Sequence, residues 1–223
     1  NTYLKPDYSW FYKYDISKEL SETLEYILKN RHQGAHYYID FNPNAGNPLF
    51  INENSYADMP YPDSGFRLLT LFRYWNIIEY YFPYKHLTNT NWDMVLGNYL
   101  NLFVTAQNEF DYEMTTLKLI GEVGDTHANL WGGNNAIENW KGNFYPPFHV
   151  RFIEEQPVVV DYYNPELREA SQLAIGDVIT KINGKDIAGI LEERASYYPA
   201  SNYPTQLRDI GEELLRSKDS TIS

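Results

Sequence analysis

The hydrophobic period changes once along this chain, and no other feature of the sequence limits its fold as much. Between Phe66 and Val123 apolar residues recur three and four apart, the spacing of a helix face. After Gly132-Gly133 they alternate instead, as in strands with one covered side. The expected fold class is therefore α+β, a helical bundle followed by a small β-rich part.

The helical part reads as three segments. Phe66 to Phe82 is apolar nearly all round, interrupted by Arg67, Thr70, Arg73, Asn76 and Glu79, so the pattern predicts a helix buried on most sides and stopped by Pro83. The next begins at Asn91, a good cap with Asp93 in the first turn, and carries Trp92, Val95, Leu96, Tyr99, Phe103 and Ala106. A third opens at Asp111, runs through Met114, Leu117, Ile120 and Val123, and closes at Gly124, which can adopt the left-handed conformation after a helix end. Residues 65–135 are assigned to this helical domain.

Residues 142–223 are expected to form the β-rich part, truncated at its end. Val150 and Phe152 alternate with polar neighbours, and Pro157-Val158-Val159-Val160 is a run suited to a buried strand. Val178 to Ile182 leads into Asn183-Gly184, the strongest short hairpin signal in the chain. Ile187, Ile190, Leu191 and Ala195 suggest a short helix, and Pro204, Leu207, Ile210 and Leu214 another. Ahead of both parts, residues 1–64 hold an amphipathic helix from Asp15 to about Arg31, a short strand over residues 36–41 and a long loop, expected to cover the bundle.

Composition removes several classes of function. The net charge is −12, and no basic run is interleaved with aromatics, so phosphate backbones and anionic lipid surfaces are poor partners. With no cysteine the chain has no disulfide, thiol nucleophile or thiolate metal site. No apolar run approaches the roughly 20 residues of a membrane-spanning helix. The chain starts at Asn1 and stops in Ser220-Thr221-Ile222-Ser223, where a β-branched alternation has just begun, and it is expected to be a fragment. Its 21 tyrosines and 5 tryptophans suit either a sugar-stacking surface or helix seams, and helical spacing favours the seams.

The sharpest local feature is Gly121-Glu122-Val123-Gly124-Asp125-Thr126-His127-Ala128-Asn129. A helix ends at glycine and at once presents Asp125, Thr126 and His127 on a turn. An imidazole there can take and return a proton near neutral pH, or it can cap the carbonyl end of the helix behind it. His32 and His36 stand at metal-ligand spacing with Asp40 beyond, but Gly34 breaks the helix that would align them and no glutamate follows the first histidine. They read as surface residues, His86 and His149 as structural, and neither metal nor cofactor is implied. No serine sits in a Gly-x-Ser-x-Gly elbow or a Ser-x-x-Lys pair, so the chain carries no activated nucleophile.

Two stretches resemble a known family. Leu173 with residues 176–185 is similar to the signature strand of PDZ domains. Residues 73–83 (Arg-Tyr-Trp-Asn-Ile-Ile-Glu-Tyr-Tyr-Phe-Pro), with Gly124-Asp125-Thr126-His127-Ala128, resemble the helical domain of tricorn-type and C-terminal-processing serine peptidases. The resemblance spans about residues 60–223 and implies an N-terminal portion of such an exported peptidase, its helical domain followed by a PDZ-like domain. The nucleophile-bearing core would lie after Ser223, and this piece alone would hydrolyse nothing. His127 falls on the histidine that serves tricorn-type members as general base, and Thr126 on the serine before it; in the C-terminal-processing branch a core lysine is the base and His127 would be structural.

The same resemblance implies capture of a peptide or unfolded protein as an added strand. Its walls would be Phe148, Val150 and Phe152 on a strand and Ile190 and Leu191 on a helix. Tyr145-Pro146-Pro147-Phe148 stands where PDZ domains have Gly-Leu-Gly-Phe, and two prolines cannot donate backbone N–H groups to a carboxylate. The rival reading is a module that binds peptide or carbohydrate without catalysis.

Overall fold

The computed structural model describes residues 7–132, 135–169 and 171–223, and it is an α+β structure of eight helices and three small strand pairs among those residues. Gly133 of the expected period change lies outside the described residues. Contacts gather the chain into two units: residues up to Pro60 with Asn76–Pro83, and Tyr61–Trp75 with Tyr84–Ser223.

In the first unit, helix α1 (Trp10–Lys13) precedes α2 (Lys18–Lys29), where the Ser17 hydroxyl accepts from the Leu20 N–H as an N-cap. The apolar side of α2 is not buried: Leu20 and Ile27 are exposed. Strand β1 (Ile39–Phe41) pairs antiparallel with β2 (Pro48–Phe50). The sequence reading placed β2 within a loop. Three residues opening on proline are too short for a period, and the pairing is set by the turn between them, where Asn42 N–H donates to the Asn47 carbonyl and Gly46 sits at φ +71°. The last turns of helix α3 (Ser64–Tyr81) also belong here, with Tyr81 edge-on to Phe50.

The second unit holds the bundle. The Asp63 carboxylate accepts from the Gly65 and Phe66 N–H groups and starts α3. Helix α4 (Trp92–Thr105) begins at the predicted Asn91 cap. Helix α5 (Glu109–Gly121) is capped by Asn108, whose side chain accepts from Asp111 N–H, so it starts two residues before the expected Asp111. The indoles of Trp75 and Trp92 each donate to the other's backbone carbonyl, at 2.9 and 3.1 Å, which pins α3 to α4. Arg67, 6% exposed, donates to the carbonyls of Phe103, Val104 and Pro62 and so closes the C-terminal end of α4. Helix α3 is less buried than its composition suggests: Arg67, Leu71 and Ile78 are inside while Phe72 and Tyr80 face solvent.

A short helix not anticipated from sequence, α6 (Asn135–Lys141), packs Ile137 against Met114 and Leu117 of α5. Strands β3 (Phe148–Ile153) and β4 (Gln156–Tyr162) form an antiparallel hairpin with an irregularity at His149/Val150. Its turn is Glu154-Glu155, both at positive φ (51° and 63°), in place of the usual glycine or asparagine. The Asp177–Ile179 segment adds to the far edge of β4 through Val158 and Val178. β5 (Lys181–Ile182) and β6 (Lys185–Asp186) flank Asn183-Gly184, at φ 49° and 79°, the turn predicted from sequence.

Helix α7 (Ile187–Arg194) and helix α8 (Tyr203–Glu213), capped by Asn202, complete the chain's elements. Phe148, Val150, Val159, Tyr162, Ile179, Ile187, Ile190, Ile210 and Leu214 form one core. Each such side chain contributes about 1.5–3 kcal/mol by leaving water. No helix among the described residues is long and apolar enough to cross a membrane.

Candidate functional site

The turn after α5 is built from the helix end outward. Gly124 takes φ +63°, a left-handed conformation that turns the chain away from the helix axis. The Asp125 carboxylate then accepts from the His127 N–H at 2.8 Å, while the Asp125 carbonyl accepts from Ala128 N–H at 3.0 Å. The same carboxylate oxygen lies 3.2 Å from His127 Nδ1. An ionised carboxylate only accepts, so this contact puts a proton on Nδ1 and leaves the lone pair of the neutral ring on Nε2. The His127 side chain is 98% exposed and the Asp125 side chain 36%. Asp125 is the ring's sole hydrogen-bond partner among the described residues. The arrangement therefore presents an oriented, unobstructed proton acceptor. Such an exposed pair adds little to stability.

Behind the turn sits a polar seam. Tyr99 and Thr90 each donate to one oxygen of Glu122, at 3.0 and 2.8 Å, tying α4 to the end of α5. Burial first, and the Asp125 charge second, push the Tyr74 phenol well above its ordinary pKa.

Thr126 does not touch the imidazole. Its hydroxyl and N–H face Ser201, in the loop between α7 and α8, and the two residues exchange hydrogen bonds. Sequence reasoning missed Ser201. It lies 75 residues away in the chain, and its local setting, Ser-Asn-Tyr-Pro, signals only the cap of the following helix.

Of the residues expected to hold a peptide, Phe148, Val150 and Ile190 lie in the core, and Phe152 and Leu191 are partly buried against it. Helix α8 is packed on β3: a Cβ on Gly211 would lie 3.4 Å from both the Phe152 ring and the Val150 carbonyl oxygen. Leu191 lines an open groove of about 570 Å³ with Pro157, Val178, Thr180, Ile187 and Tyr203. Phe152 lines a smaller one, of about 340 Å³, with Arg151, Tyr203 and Leu207. The groove therefore opens between α7 and the 178–180 segment.

No cluster of three or more histidine, aspartate or glutamate side chains suited to a metal occurs among the described residues. His32 Nε2 is 3.1 Å from the Ala35 carbonyl, and its ring meets His36 edge-on. No family model matches the chain, and no curated protein matches it.

Proposed function

We propose that this chain is the histidine-bearing and peptide-holding portion of an exported serine peptidase of the tricorn type, in which the β-rich part is PDZ-like. His127 serves as general base for a serine carried on a further domain. The observation that carries this reading is the His127–Asp125 pair on the turn after α5: one ring nitrogen is held by a carboxylate and the other is open to solvent. A base needs a fixed tautomer and room for the hydroxyl it deprotonates, and this turn supplies both. Once Nε2 has taken the serine proton, the imidazolium formed stays beside the Asp125 carboxylate and can return the proton to the leaving amine.

The test is peptide hydrolysis by the full-length enzyme carrying His127→Ala. Activity falls by a factor of about 10³ or more while the fold is kept. Activity within about threefold of the unsubstituted enzyme places the base elsewhere and overturns the assignment.

A second reading is favoured by the groove along α7. Val178, Ile187 and Leu191 give it an apolar floor beside a short strand segment, a surface on which an extended peptide can lie without any chemistry following. Titration of the chain with apolar-ended peptides, followed by amide shifts, checks it. Shifts at Val178, Thr180 and Leu191 support peptide holding; none at millimolar peptide removes it.

A further inference from the structure

We infer that Ser201 is a positioning residue for the His127 turn, an inference that rests on the proposed role of His127. Thr126 N–H donates to Ser201 Oγ at 3.1 Å, Ser201 N–H donates to Thr126 Oγ1 at 3.0 Å, and the two hydroxyls lie 3.0 Å apart. Each residue thus gives its backbone N–H to the other's side chain. The Asp125–Thr126 peptide and the Thr126 side chain, immediately before His127, are held from outside their own turn. Among the described residues, the other hydrogen bonds that hold residues 126–128 come from Asp125 within the turn.

The loop that carries Ser201 is itself anchored. Gln206 donates through Nε2 to the carbonyls of Ala195 and Tyr198, at 2.9 and 3.0 Å. Asn202, the next residue, caps α8 through Thr205 N–H at 2.9 Å. The α5 end is shaped to receive this loop: a Cβ on Gly121 would come within 3.3 Å of the Ser196 carbonyl, and one on Gly124 within 4.0 Å of the Ala200 carbonyl. Two residues beyond Ser201, Tyr203 lines the groove along α7. The clasp therefore joins the histidine turn to the segment that borders the groove.

Ser201 touches no ring atom, so its effect passes through Thr126. The experiment compares the 223-residue chain with its Ser201→Ala and Ser201→Thr variants, reading amide hydrogen exchange at residues 126–128 and the ¹⁵N shifts of the His127 ring. In Ser201→Ala exchange at these amides rises by about tenfold, the order expected for lost local hydrogen bonds. The ring signals move from a predominant Nδ1–H form toward a mixture of tautomers. Ser201→Thr, which keeps the hydroxyl, restores both. Thermal unfolding stays put, because Ser201 is exposed and water replaces its bonds elsewhere. Exchange changed by less than about twofold with unaltered ring shifts overturns the inference, as does failure of Ser201→Thr to restore them. These signals are read on the chain itself, so they answer separately from the peptidase assay of His127→Ala.

Discussion

Gly142 passes so close to Ser217 that a Cβ built on it would fall 2.1 Å from the Ser217 carbonyl carbon. It also adopts φ +97°, where only glycine is comfortable. The close approach allows Phe144 and Ser217 to exchange backbone hydrogen bonds at 3.0 and 3.1 Å, joining the segment after α6 to the one after α8. Gly176 has nearly the same φ, +98°, but open space around it. Gly176→Ala should cost about 1 kcal/mol, the backbone penalty alone, and Gly142→Ala about 3 kcal/mol or more. Urea denaturation of the two variants separates the clash from the dihedral; equal losses would mean that the Ser217 segment simply moves aside.

The same joint carries a charge network. Arg216, its side chain 4% exposed, pairs with Glu138 at 2.9 Å and Glu213 at 3.1 Å and donates to the Gly142 carbonyl. Lys141 reaches Glu213 at 2.9 Å. Burial raises the Glu138 pKa, but the Arg216 hydrogen bond and the Arg216 and Lys141 charges outweigh it, and the carboxyl ends below its ordinary 4.5. A depressed folded-state pKa gives stability that is present above 4.5 and lost as pH falls through the lowered value. Arg216→Met should cost about 2 kcal/mol at pH 7, because it strips the Gly142 carbonyl of its buried donor and leaves Lys141 as the remaining cation beside Glu138 and Glu213. It should also flatten the acid limb of the stability curve below 4.5, and an unchanged limb would place the acid sensitivity elsewhere.

Glu113 works in the opposite direction. Buried at 8% exposure, it accepts from Ile137 N–H at 3.2 Å in the first turn of α6, beside Glu109 one turn away. Burial raises its pKa above the ordinary value, and the Glu109 contact adds to the rise against the pull of the Ile137 bond. The stability tied to its proton is complete below 4.5 and is lost as pH rises through the raised value. Glu113→Gln keeps an acceptor for Ile137 without the charge. The urea midpoint of this variant should exceed wild type at pH 7, and the advantage should vanish near pH 4. An equal gain at both pH values would assign the effect to packing.

Much of this architecture was legible from local chemistry. Asn91 and Asp93 opened α4 as expected, Asn183-Gly184 made the predicted turn, and Leu207, Ile210 and Leu214 face the core from α8 and the residue after it. Glu154-Glu155 was opaque because glutamates at positive φ are set by the strands they join and carry no turn signal of their own. β2 and α6 are shorter than the window in which a period can be counted. His127 could be singled out because a helix-ending glycine precedes it. Ser201 could not, since its contact with Thr126 joins two loops that only the folded chain brings together. Phe148, Val150 and Ile190 showed apolar alternation and helical spacing truthfully, but such patterns mark a covered face without saying whether a ligand or α8 covers it.

Asp125 has two tasks at the His127 turn, and substitutions can separate them. Its Oδ1 accepts the His127 N–H and so shapes the turn, and the same oxygen faces Nδ1 and so fixes the tautomer. Asparagine can still accept the backbone N–H, but its amide is uncharged and can present a donor to Nδ1. Asp125→Asn should therefore leave amide exchange at residues 126–128 near wild type while the ¹⁵N ring shifts of His127 lose their preference for Nδ1–H. Asp125→Ala should disturb both. On the proposed role of His127 as general base, Asp125→Asn in the full-length protein should lower the kcat of peptide hydrolysis by about tenfold to a hundredfold with KM unchanged. The loss is smaller than for a buried triad carboxylate, because water competes for a ring this exposed. Full activity in Asp125→Asn with the ring signals displaced would show that the carboxylate orients His127 without contributing to the reaction.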